Sequence, residues 1–218
     1  MLNMVVSSDK NLIIPVNSSH PDWLALRRAG AAIKRGKIVA IPTDTVYGLA
    51  ADPFNEIAVR QLFSIKKRPT LNPILVLIES YKQVELLAKN LPKSLDRIAA
   101  RFWPGPLTVI LSAKDTVPCS VSAGTGTIAL RVPASKVVRH LIRSSGCPLT
   151  GTSANLSGKR VAETAAEVHR QFGKQVYCVL DGGRARSRRP STILDLTGRR
   201  PSIVREGVLS SVALEEYL

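Results

Sequence analysis

The sequence is poor in aromatic residues and contains no long apolar run. Aromatic side chains make up 5% of the 218 residues, which argues against a surface of stacked rings for single-stranded nucleic acid. No apolar stretch approaches the roughly 18–20 residues that a membrane-spanning helix needs, so we expect no membrane partner. The N-terminus has no basic segment followed by an apolar one, so we also expect no secretory signal.

Cysteine and histidine are equally scarce. The three cysteines, Cys119, Cys147 and Cys178, are far apart and form no C-x-x-C pair, so neither a disulfide framework nor a zinc site is indicated. The three histidines form no metal-binding or catalytic pattern, and the sequence contains no G-x-x-x-x-G-K-[ST] phosphate-binding loop. Free thiols favour a reducing compartment, which predicts a cytoplasmic protein.

Acidic residues are the other class in short supply. Lysine and arginine number 31 against 16 aspartates and glutamates, which gives a formal net charge of +15 at pH 7. This excess predicts a polyanionic partner such as nucleic acid or nucleotide phosphates. Hydrophobic residues make up 44% of the chain, which is enough for a folded core. The length suits one compact domain, or at most two small ones.

Helical and strand patterns alternate along the chain. We expect Trp23 and Ile57 to point inward from the first two helices. The predicted helices are 22–35, 55–65, 80–88, 92–102, 134–145 and 162–172. The predicted strands are 37–43, 73–78, 107–113, 127–133, 148–152, 176–181, 191–196 and 201–206. Apolar strands separated by helices predict an α/β fold, with a twisted, mixed parallel and antiparallel sheet that carries helices on both faces.

The segment GTGTIA at 124–129 matches a dinucleotide-binding fingerprint only in its letters. A true fingerprint follows a strand and opens a helix, whereas this segment precedes a predicted strand. We interpret it as a connecting loop, although the hydroxyls of Thr125 and Thr127 could still meet phosphate oxygens.

Four polar segments are candidate ligand-binding elements. Residues 42–45 (PTDT) and 152–158 (TSANLSG) each follow a predicted strand, and each is either an ordinary turn or part of a pocket at the strand's carboxyl end. Residues 66–69 (KKRP) are either cations at a helix C-terminus or a phosphate clamp. The arginine-rich run 184–189 is either a solvated basic loop or a flap that binds RNA or phosphate.

Several segments occur in an order that is typical of one enzyme family. They are IPTDTVYGLAADPFN, KKRPTLNPILV, FWPGPLTVIL, TIALRVP, GTSANLSG, STILDLTG and IVREG. On these segments the chain resembles the YrdC-type threonylcarbamoyl-AMP synthases over nearly its whole length, and both family signatures are present, Lys-x-Arg at 66–68 and Ser-x-Asn at 153–155. The resemblance favours the short, single-domain form. We expect an N-terminal extension over 1–20, a YrdC-like domain over 21–210 and a C-terminal tail over 211–218.

The resemblance implies a reaction in which L-threonine, bicarbonate and ATP give threonylcarbamoyl-AMP and pyrophosphate. Mg2+ would accompany ATP, held mainly by the substrate phosphates and water. Separate transfer proteins would then use the product to modify the adenosine next to the anticodon of tRNA. The implied fold contains a large, basic, concave site. No protein nucleophile is needed, which agrees with a sequence that shows no catalytic triad or reactive cysteine pattern.

The resemblance also implies roles for individual residues. Lys66 and Arg68 would be the catalytic cations beside the ATP phosphates. The other ATP contacts would be Asn72, Thr127, Ser153, Asn155 and Arg205. The threonine contacts would be Thr45, Arg131, Gly151 and Ser191. Leu77 stands where many relatives have histidine, so we expect the threonine end of the pocket to differ in this chain.

Two other functions agree with parts of the sequence. A YrdC-like fold without catalysis could bind double-stranded RNA or tRNA, which the net charge favours. Both signatures, together with Thr45 and Arg131, favour the enzyme instead. The related adenylating domain of hydrogenase maturation factors agrees less well, because those proteins are much longer and carry cysteine-rich zinc motifs that are absent from this sequence.

Overall fold

The computed structural model describes residues 12–217, which form two mixed β-sheets with covering helices. The strands are β1 (Leu12–Pro15), β2 (Val39–Ile41), β3 (Gly48–Ala50), β4 (Leu75–Leu77), β5 (Leu107–Ser112), β6 (Thr127–Arg131), β7 (Leu149–Thr150), β8 (Thr152–Ser153), β9 (Cys178–Asp181), β10 (Thr192–Asp195) and β11 (Ser202–Arg205). The α-helices are α1 (Trp23–Lys34), α2 (Glu56–Lys66), α3 (Val84–Leu87), α4 (Ser94–Phe102), α5 (Cys119–Ser122), α6 (Lys136–Ser145) and α7 (Ala165–Phe172). Across this part of the chain, no helix has the length and apolar character needed to cross a membrane.

The first sheet has the strand order β1-β9-β2-β3-β8, and the second has the order β11-β10-β5-β6-β4-β7. Each sheet contains parallel pairs, such as β2 with β9, and antiparallel pairs, such as β5 with β6. The predicted mixed α/β fold is therefore confirmed, but the strands divide between two sheets. The division follows from the late strands, because β9 inserts between β1 and β2 whereas β10 pairs with β5.

The central strand β2 is buried on both faces. Val39 and Ile41 pack into a core that includes α1 and α6, while Ile38 and Ala40 pack into the opposite core, which includes α2 and α7. Successive side chains of a strand point to opposite faces of the sheet, so a strand covered on both faces needs a continuous apolar run. The expectation of helices on both faces is met at this strand.

Side-chain caps fix the beginnings of the first two helices. Asp22 accepts a hydrogen bond from the Leu24 amide at 2.9 Å, and α1 begins at the next residue after Asp22. Asn55 accepts one from the Ala58 amide at 3.0 Å at the start of α2. Caps of this kind satisfy amides that have no partner in the first helical turn, which is why both helices begin close to their predicted positions.

The prediction that Trp23 and Ile57 point inward is wrong. Ile57 is 77% exposed, because Leu62 and Ile65 define the buried face of α2 and Ile57 lies five residues before Leu62, about 140° around the helix. Trp23 is 54% exposed and lies against the His140 ring of α6, with 4.7 Å between the centroids. Neither apolar side chain therefore belongs to the core.

Both ends of the described chain belong to the folded unit. β1 pairs in parallel with β9, so residues 12–15 form part of the first sheet. Leu214 is buried, and the Tyr217 ring packs edge-on against Phe102 with 5.3 Å between the centroids. The folded unit thus extends beyond the predicted domain bounds of 21 and 210, into the predicted extension and tail. The remainder of those segments, residues 1–11 and 218, lies outside the described residues.

The segment predicted as one strand over 148–152 is divided between the sheets. β7 pairs with β4 in the second sheet, and β8 pairs with β3 in the first. Gly151 links them, and a Cβ at this position would lie only 2.7 Å from Leu77 Cγ. Glycine therefore allows the chain to pass close to β4 as it crosses from one sheet to the other.

Candidate functional site

A cavity of about 260 Å³ lies at this crossing, with residues from both sheets in its wall. Its lining includes seven of the predicted site residues, namely Thr45, Arg68, Arg131, Gly151, Ser153, Ser191 and Arg205. They come from loops after β2 and α2, from the ends of β6 and β11, and from the segments around β8 and β10. Only the folded chain brings these distant parts of the sequence together.

Three guanidinium groups, those of Arg68, Arg131 and Arg205, face this cavity. Burial lowers the pKa of each, and the positive charges of Arg131 and Arg68 lower the pKa of Arg205 further. Among the described residues that line the cavity there is no carboxylate. Of the three, Arg68 and Arg205 form no ion pair with a carboxylate of the described residues, and their positive charge favours the binding of an anion.

Arg68 reaches the cavity from the end of α2. The preceding Lys67 has a φ of +50° and caps the helix in the left-handed region, which turns the chain out of the helix. One Nη of Arg68 donates to the Pro73 carbonyl at 2.9 Å, and its Nε has no hydrogen-bond partner within the described part of the chain. A guanidinium with free donors is suited to phosphate oxygens.

Arg131 is almost fully buried and is held from three sides. Its Nε donates to the Gly105 carbonyl at 2.9 Å and its Nη1 donates to Thr45 Oγ1 at 3.2 Å. Its Nη2 lies 2.7 Å from Asp44 Oδ2, and the two side chains of this ion pair are 4% and 8% exposed. Asp44 thus compensates the charge of Arg131 and occupies part of the guanidinium that the family resemblance assigns to a threonine carboxylate.

Lys66 is buried and does not line the cavity. Its Nζ donates to the carbonyls of Ser153 and Asn155, at 2.6 Å for Asn155, and the residue is 1% exposed. Burial, assisted by the charge of Arg68, lowers its pKa to about 8. Lys66 therefore fastens the end of α2 to the Ser-x-Asn segment, and its role beside the ATP phosphates stays a prediction.

The two side chains of the Ser-x-Asn segment bind each other. Ser153 Oγ donates to Asn155 Oδ1 at 2.5 Å, and Asn155 Nδ2 donates to the carbonyls of Leu156 at 2.9 Å and Lys159 at 2.6 Å. Ser153 lines the cavity whereas Asn155 does not. Asn155 therefore holds the loop in shape, and Ser153 is the residue of this pair that lines the cavity.

Ser191 is fixed by two partners in the same wall. Its hydroxyl shares a hydrogen bond of 2.8 Å with the Thr108 hydroxyl, and its carbonyl accepts from Nη2 of Arg205 at 2.8 Å. Thr108 lies on β5, which pairs with β10 directly after Ser191. The predicted threonine contact and the predicted late ATP contact therefore lie side by side.

Two other predicted ATP contacts lie next to the lining but not in it. Asn72 is exposed in the turn that precedes Pro73, and Pro73 does line the cavity. Thr127 begins β6, two residues before Ala129 of the lining. Asn72 therefore lies close to the cavity wall near Arg68, and Thr127 lies close to it on β6.

The arginine run lies beside the cavity and is paired with an acid. Arg184 Nη2 and Arg188 Nε lie 2.6 Å and 3.0 Å from the Glu163 carboxylate. Arg186 lines a second cavity, of about 180 Å³, that shares part of its wall with the first. Of the described loop 182–191, Pro190 and Ser191, which follow the run, line the first cavity.

Two residues, one beside the cavity wall and one in it, have evident roles and were not among the predicted contacts. Asp44 supplies the charge partner of Arg131, and the available signal was an acid placed between two threonines just after a buried strand. Leu77 lines the wall and is the register partner of Arg131 across β4 and β6. Strand register and the distance between residues far apart in sequence cannot be read from a single sequence.

Residues 31–207 match the model of the Sua5/YciO/YrdC family, which carries the description "Telomere recombination". The chain belongs to this family. The matched residues run from within α1 to just past β11 and include every residue that lines the larger cavity. The resemblance noted in the ordered sequence segments is therefore confirmed.

Two curated members of the family show the extent of the similarity. The chain is 40% identical over 207 residues to a threonylcarbamoyl-AMP synthase of Pyrococcus abyssi, covering 95% of this chain and 61% of that protein. It is 35% identical over 186 residues to a threonylcarbamoyl-AMP synthase of Marinobacter nauticus, covering 84% of this chain and 98% of that protein. The chain thus spans about three fifths of the first protein's length and nearly all of the second's.

A solved structure of the family shows the same fold. The crystal structure of P. abyssi Sua5 complexed with L-threonine matches this chain with a TM-score of 0.92 at 39% identity, covering 95% of this chain and 61% of that chain. This chain therefore shares its fold with that relative over nearly the whole of its own length.

Proposed function

We propose that this chain is a threonylcarbamoyl-AMP synthase, which converts L-threonine, bicarbonate and ATP into threonylcarbamoyl-AMP and pyrophosphate. Family membership and the activity for which the relatives are named support the proposal. The observation that supports this function most is that three guanidinium groups line one cavity, whose other polar groups are mainly hydroxyls and backbone atoms. Such a wall is suited to holding two anionic reactants together, and it requires no protein nucleophile.

The proposed chemistry begins with carbamate formation and ends with transfer of the AMP group. Bicarbonate takes up a proton and loses water to give carbon dioxide, and the threonine amine attacks this carbon dioxide, which forms an N–C bond, releases a proton and gives a carbamate. A carbamate oxygen then attacks the α-phosphorus of ATP, and the bond from that phosphorus to pyrophosphate breaks. Negative charge moves onto the departing pyrophosphate, so nearby cations stabilise the transition state more than the ground state.

The threonine end of the cavity is proposed to lie where the hydroxyls of Thr45 and Ser191, the Gly151 backbone and Arg131 meet. Arg131 would bind the carboxylate through the guanidinium donors that Gly105, Thr45 and Asp44 leave free. Leu77 contributes an apolar wall at this end. The P. abyssi relative was crystallised with L-threonine, which supports a threonine site in this fold.

The nucleotide end is proposed to involve Arg68, Arg205 and Ser153, which share the remaining wall. Arg68 and Arg205 would contact the phosphates, with Asn72 and Thr127 reaching the parts of ATP that extend beyond the cavity. Lys66 and Asn155 would act indirectly, since both hold the backbone around Ser153 in place.

Mg2+ fits this site only as an ion that binds together with ATP. The described cavity lining offers no carboxylate, and between residues 12 and 217 no three His, Cys, Asp or Glu side chains gather as a metal site. Hard cations such as Mg2+ prefer oxygen ligands and commonly keep several waters. The ion would therefore be held by ATP phosphates and water, and the protein side chains would bind the complex.

Two protein variants and one product assay test the proposed function. Purified protein, ATP, Mg2+, bicarbonate and L-threonine should yield threonylcarbamoyl-AMP, identified by its mass. Arg68→Ala should lose most of this activity, whereas Arg60→Ala, on the exposed face of α2, should retain it. Wild-type turnover in Arg68→Ala would remove Arg68 from the site. The product would then serve transfer proteins that modify tRNA next to the anticodon.

A second candidate function is RNA binding without catalysis, which the net charge of +15 favours. It predicts binding of double-stranded RNA or tRNA that weakens steeply with salt, together with no binding of ATP or threonine. An RNA-binding surface has no need for the buried cations of the cavity, so the enzyme is the better supported function.

A further inference from the structure

Glu163 is a nearly buried carboxylate that contacts three arginines. It precedes α7, its side chain is 4% exposed, and Arg160 of the same loop contacts its Oε1. Arg184 and Arg188 contact it from the arginine run. Hydrogen bonds from Arg160 and Arg184 hold the pKa of Glu163 at about 2, so the group is ionised at neutral pH.

This cluster joins two loops that both reach the larger cavity. The loop before Glu163 contains the Ser-x-Asn segment, and Asn155 binds the Lys159 carbonyl within it at 2.6 Å. The loop that carries the arginine run covers 182–191, and Ser191 at its end lines the cavity. Glu163 binds the second loop twice, through its carboxylate and through its backbone carbonyl, which accepts from the Ala185 amide at 2.7 Å.

The second loop touches the threonine end of the cavity directly. The Ser187 amide donates to the Thr45 carbonyl at 3.1 Å, and the Tyr47 hydroxyl donates to the Gly183 carbonyl at 2.6 Å. The Thr45 side chain in turn accepts from Arg131. A shift of loop 182–191 would therefore move groups that we assign to threonine.

We propose that Glu163 is a positioning residue for the threonine site, which acts by holding loop 182–191 against the Ser-x-Asn loop. The identity of the affected substrate rests on the proposed function, whereas the clamping of the loop does not. All three arginines around Glu163 have exposed side chains, at 74% for Arg160, 67% for Arg184 and 72% for Arg188. Their ordering therefore depends on this one buried acid and not on apolar packing.

Glu163→Gln tests the proposal, because it keeps the side-chain shape and removes the charge that binds the arginines. We expect the KM for threonine to rise by about tenfold, the equivalent of one charge-assisted contact, with a much smaller change in kcat. The matched control is Glu56→Gln, which removes a carboxylate paired with Arg60 at 2.7 Å on the exposed face of α2. This control should leave both constants unchanged.

Hydrogen exchange supplies a measurement that does not depend on activity. The amides of Ala185 and Ser187 should exchange faster in Glu163→Gln than in the wild type, since both are bonded across the clamped loop. If Glu163→Gln does not fold, the double variant Arg184→Gln, Arg188→Gln removes the same contacts from exposed side chains and should show the same effects.

The outcomes separate the two proposals. An inactive wild type with clear loop protection would contradict the proposed enzyme but leave the clamp intact. Unchanged exchange in the variants would overturn the clamp. Faster exchange with an unchanged threonine KM would show a merely structural contact and would overturn the positioning role.

Discussion

The buried pair of Asp44 and Arg131 allows one stability prediction to be worked out in detail. The two side chains are 8% and 4% exposed and their charged atoms lie 2.7 Å apart. Asp44→Asn keeps the shape of the side chain and removes the charge that opposes Arg131. Loss of one partner of a buried ion pair costs about 3–5 kcal/mol, because the other charge is left without compensation.

The lower part of that range applies here. Arg131 keeps hydrogen bonds to Gly105 and Thr45, and the adjoining cavity gives its guanidinium access to water. We therefore expect Asp44→Asn to lower the free energy of unfolding by about 3 kcal/mol. For a chain of this length each kcal/mol corresponds to roughly 2–4 °C, so Tm should fall by about 6–12 °C.

Urea denaturation at pH 7 measures this difference, and calorimetry gives the shift in Tm. The control is Glu79→Gln, which breaks a more exposed pair with Arg143 at 2.5 Å and should cost about 0–1 kcal/mol. Adding Arg131→Met to Asp44→Asn should recover part of the lost stability, since no buried charge then remains. A loss under about 0.5 kcal/mol in Asp44→Asn would show that Arg131 does not need Asp44 as a charge partner.

Three further predictions concern other parts of the site. Arg68→Ala should lose activity while its free energy of unfolding changes little, measured by parallel activity and urea experiments, because Arg68 is only partly buried and bonds one carbonyl; a large stability loss would contradict this. Glu163 has a pKa of about 2 in the folded chain, below its unfolded value of about 4.3, so its contribution to stability is complete above the unfolded value and is lost as pH falls toward 2. Urea midpoints between pH 5 and 2 should therefore fall more steeply in the wild type than in Glu163→Gln, and parallel curves would contradict the assigned pairing. Gly151→Ala should be destabilised because its new methyl group would meet Leu77 at 2.7 Å, and Leu77→Ala in the same chain should restore part of the stability; no recovery would show that the clash lies elsewhere.

Local signals in the sequence predicted the elements of the fold well. The predicted helices 22–35 and 55–65 begin close to the caps Asp22 and Asn55, because capping depends on neighbouring residues only. The apolar run around β2 indicated a strand covered on both faces for the same reason. Pairing between distant strands is not local, so the separation of β9 and β10 into different sheets could not be predicted.

The candidate site shows the same limit. Arg68, Arg131 and Arg205 could be named from the ordered segments, and the structure places all three on one cavity. Lys66 belongs to the same signature as Arg68, yet its amine points into the protein toward the Ser153 carbonyl. The direction of a side chain at the end of a helix depends on packing against another loop, which the sequence alone does not specify.

The charge excess has a partly local explanation. In the arginine run, Arg184 and Arg188 are bound by Glu163, and Arg189 lies 3.3 Å from Glu206. These cations therefore help to hold loop 182–191 in place, and their pairing with Glu163 and Glu206 reduces the positive charge that the run could present to RNA. The cavity arginines account for another part, and contact with RNA or tRNA by the remaining cations stays a prediction.

If the arginine-lined cavity joins threonine, carbon dioxide and ATP, release of pyrophosphate must depend on threonine. With ATP, Mg2+ and bicarbonate present, pyrophosphate should appear in step with threonylcarbamoyl-AMP when L-threonine is added, and almost none should appear when threonine is withheld. Folded protein that binds ATP but releases no pyrophosphate in response to threonine would contradict this role of the cavity.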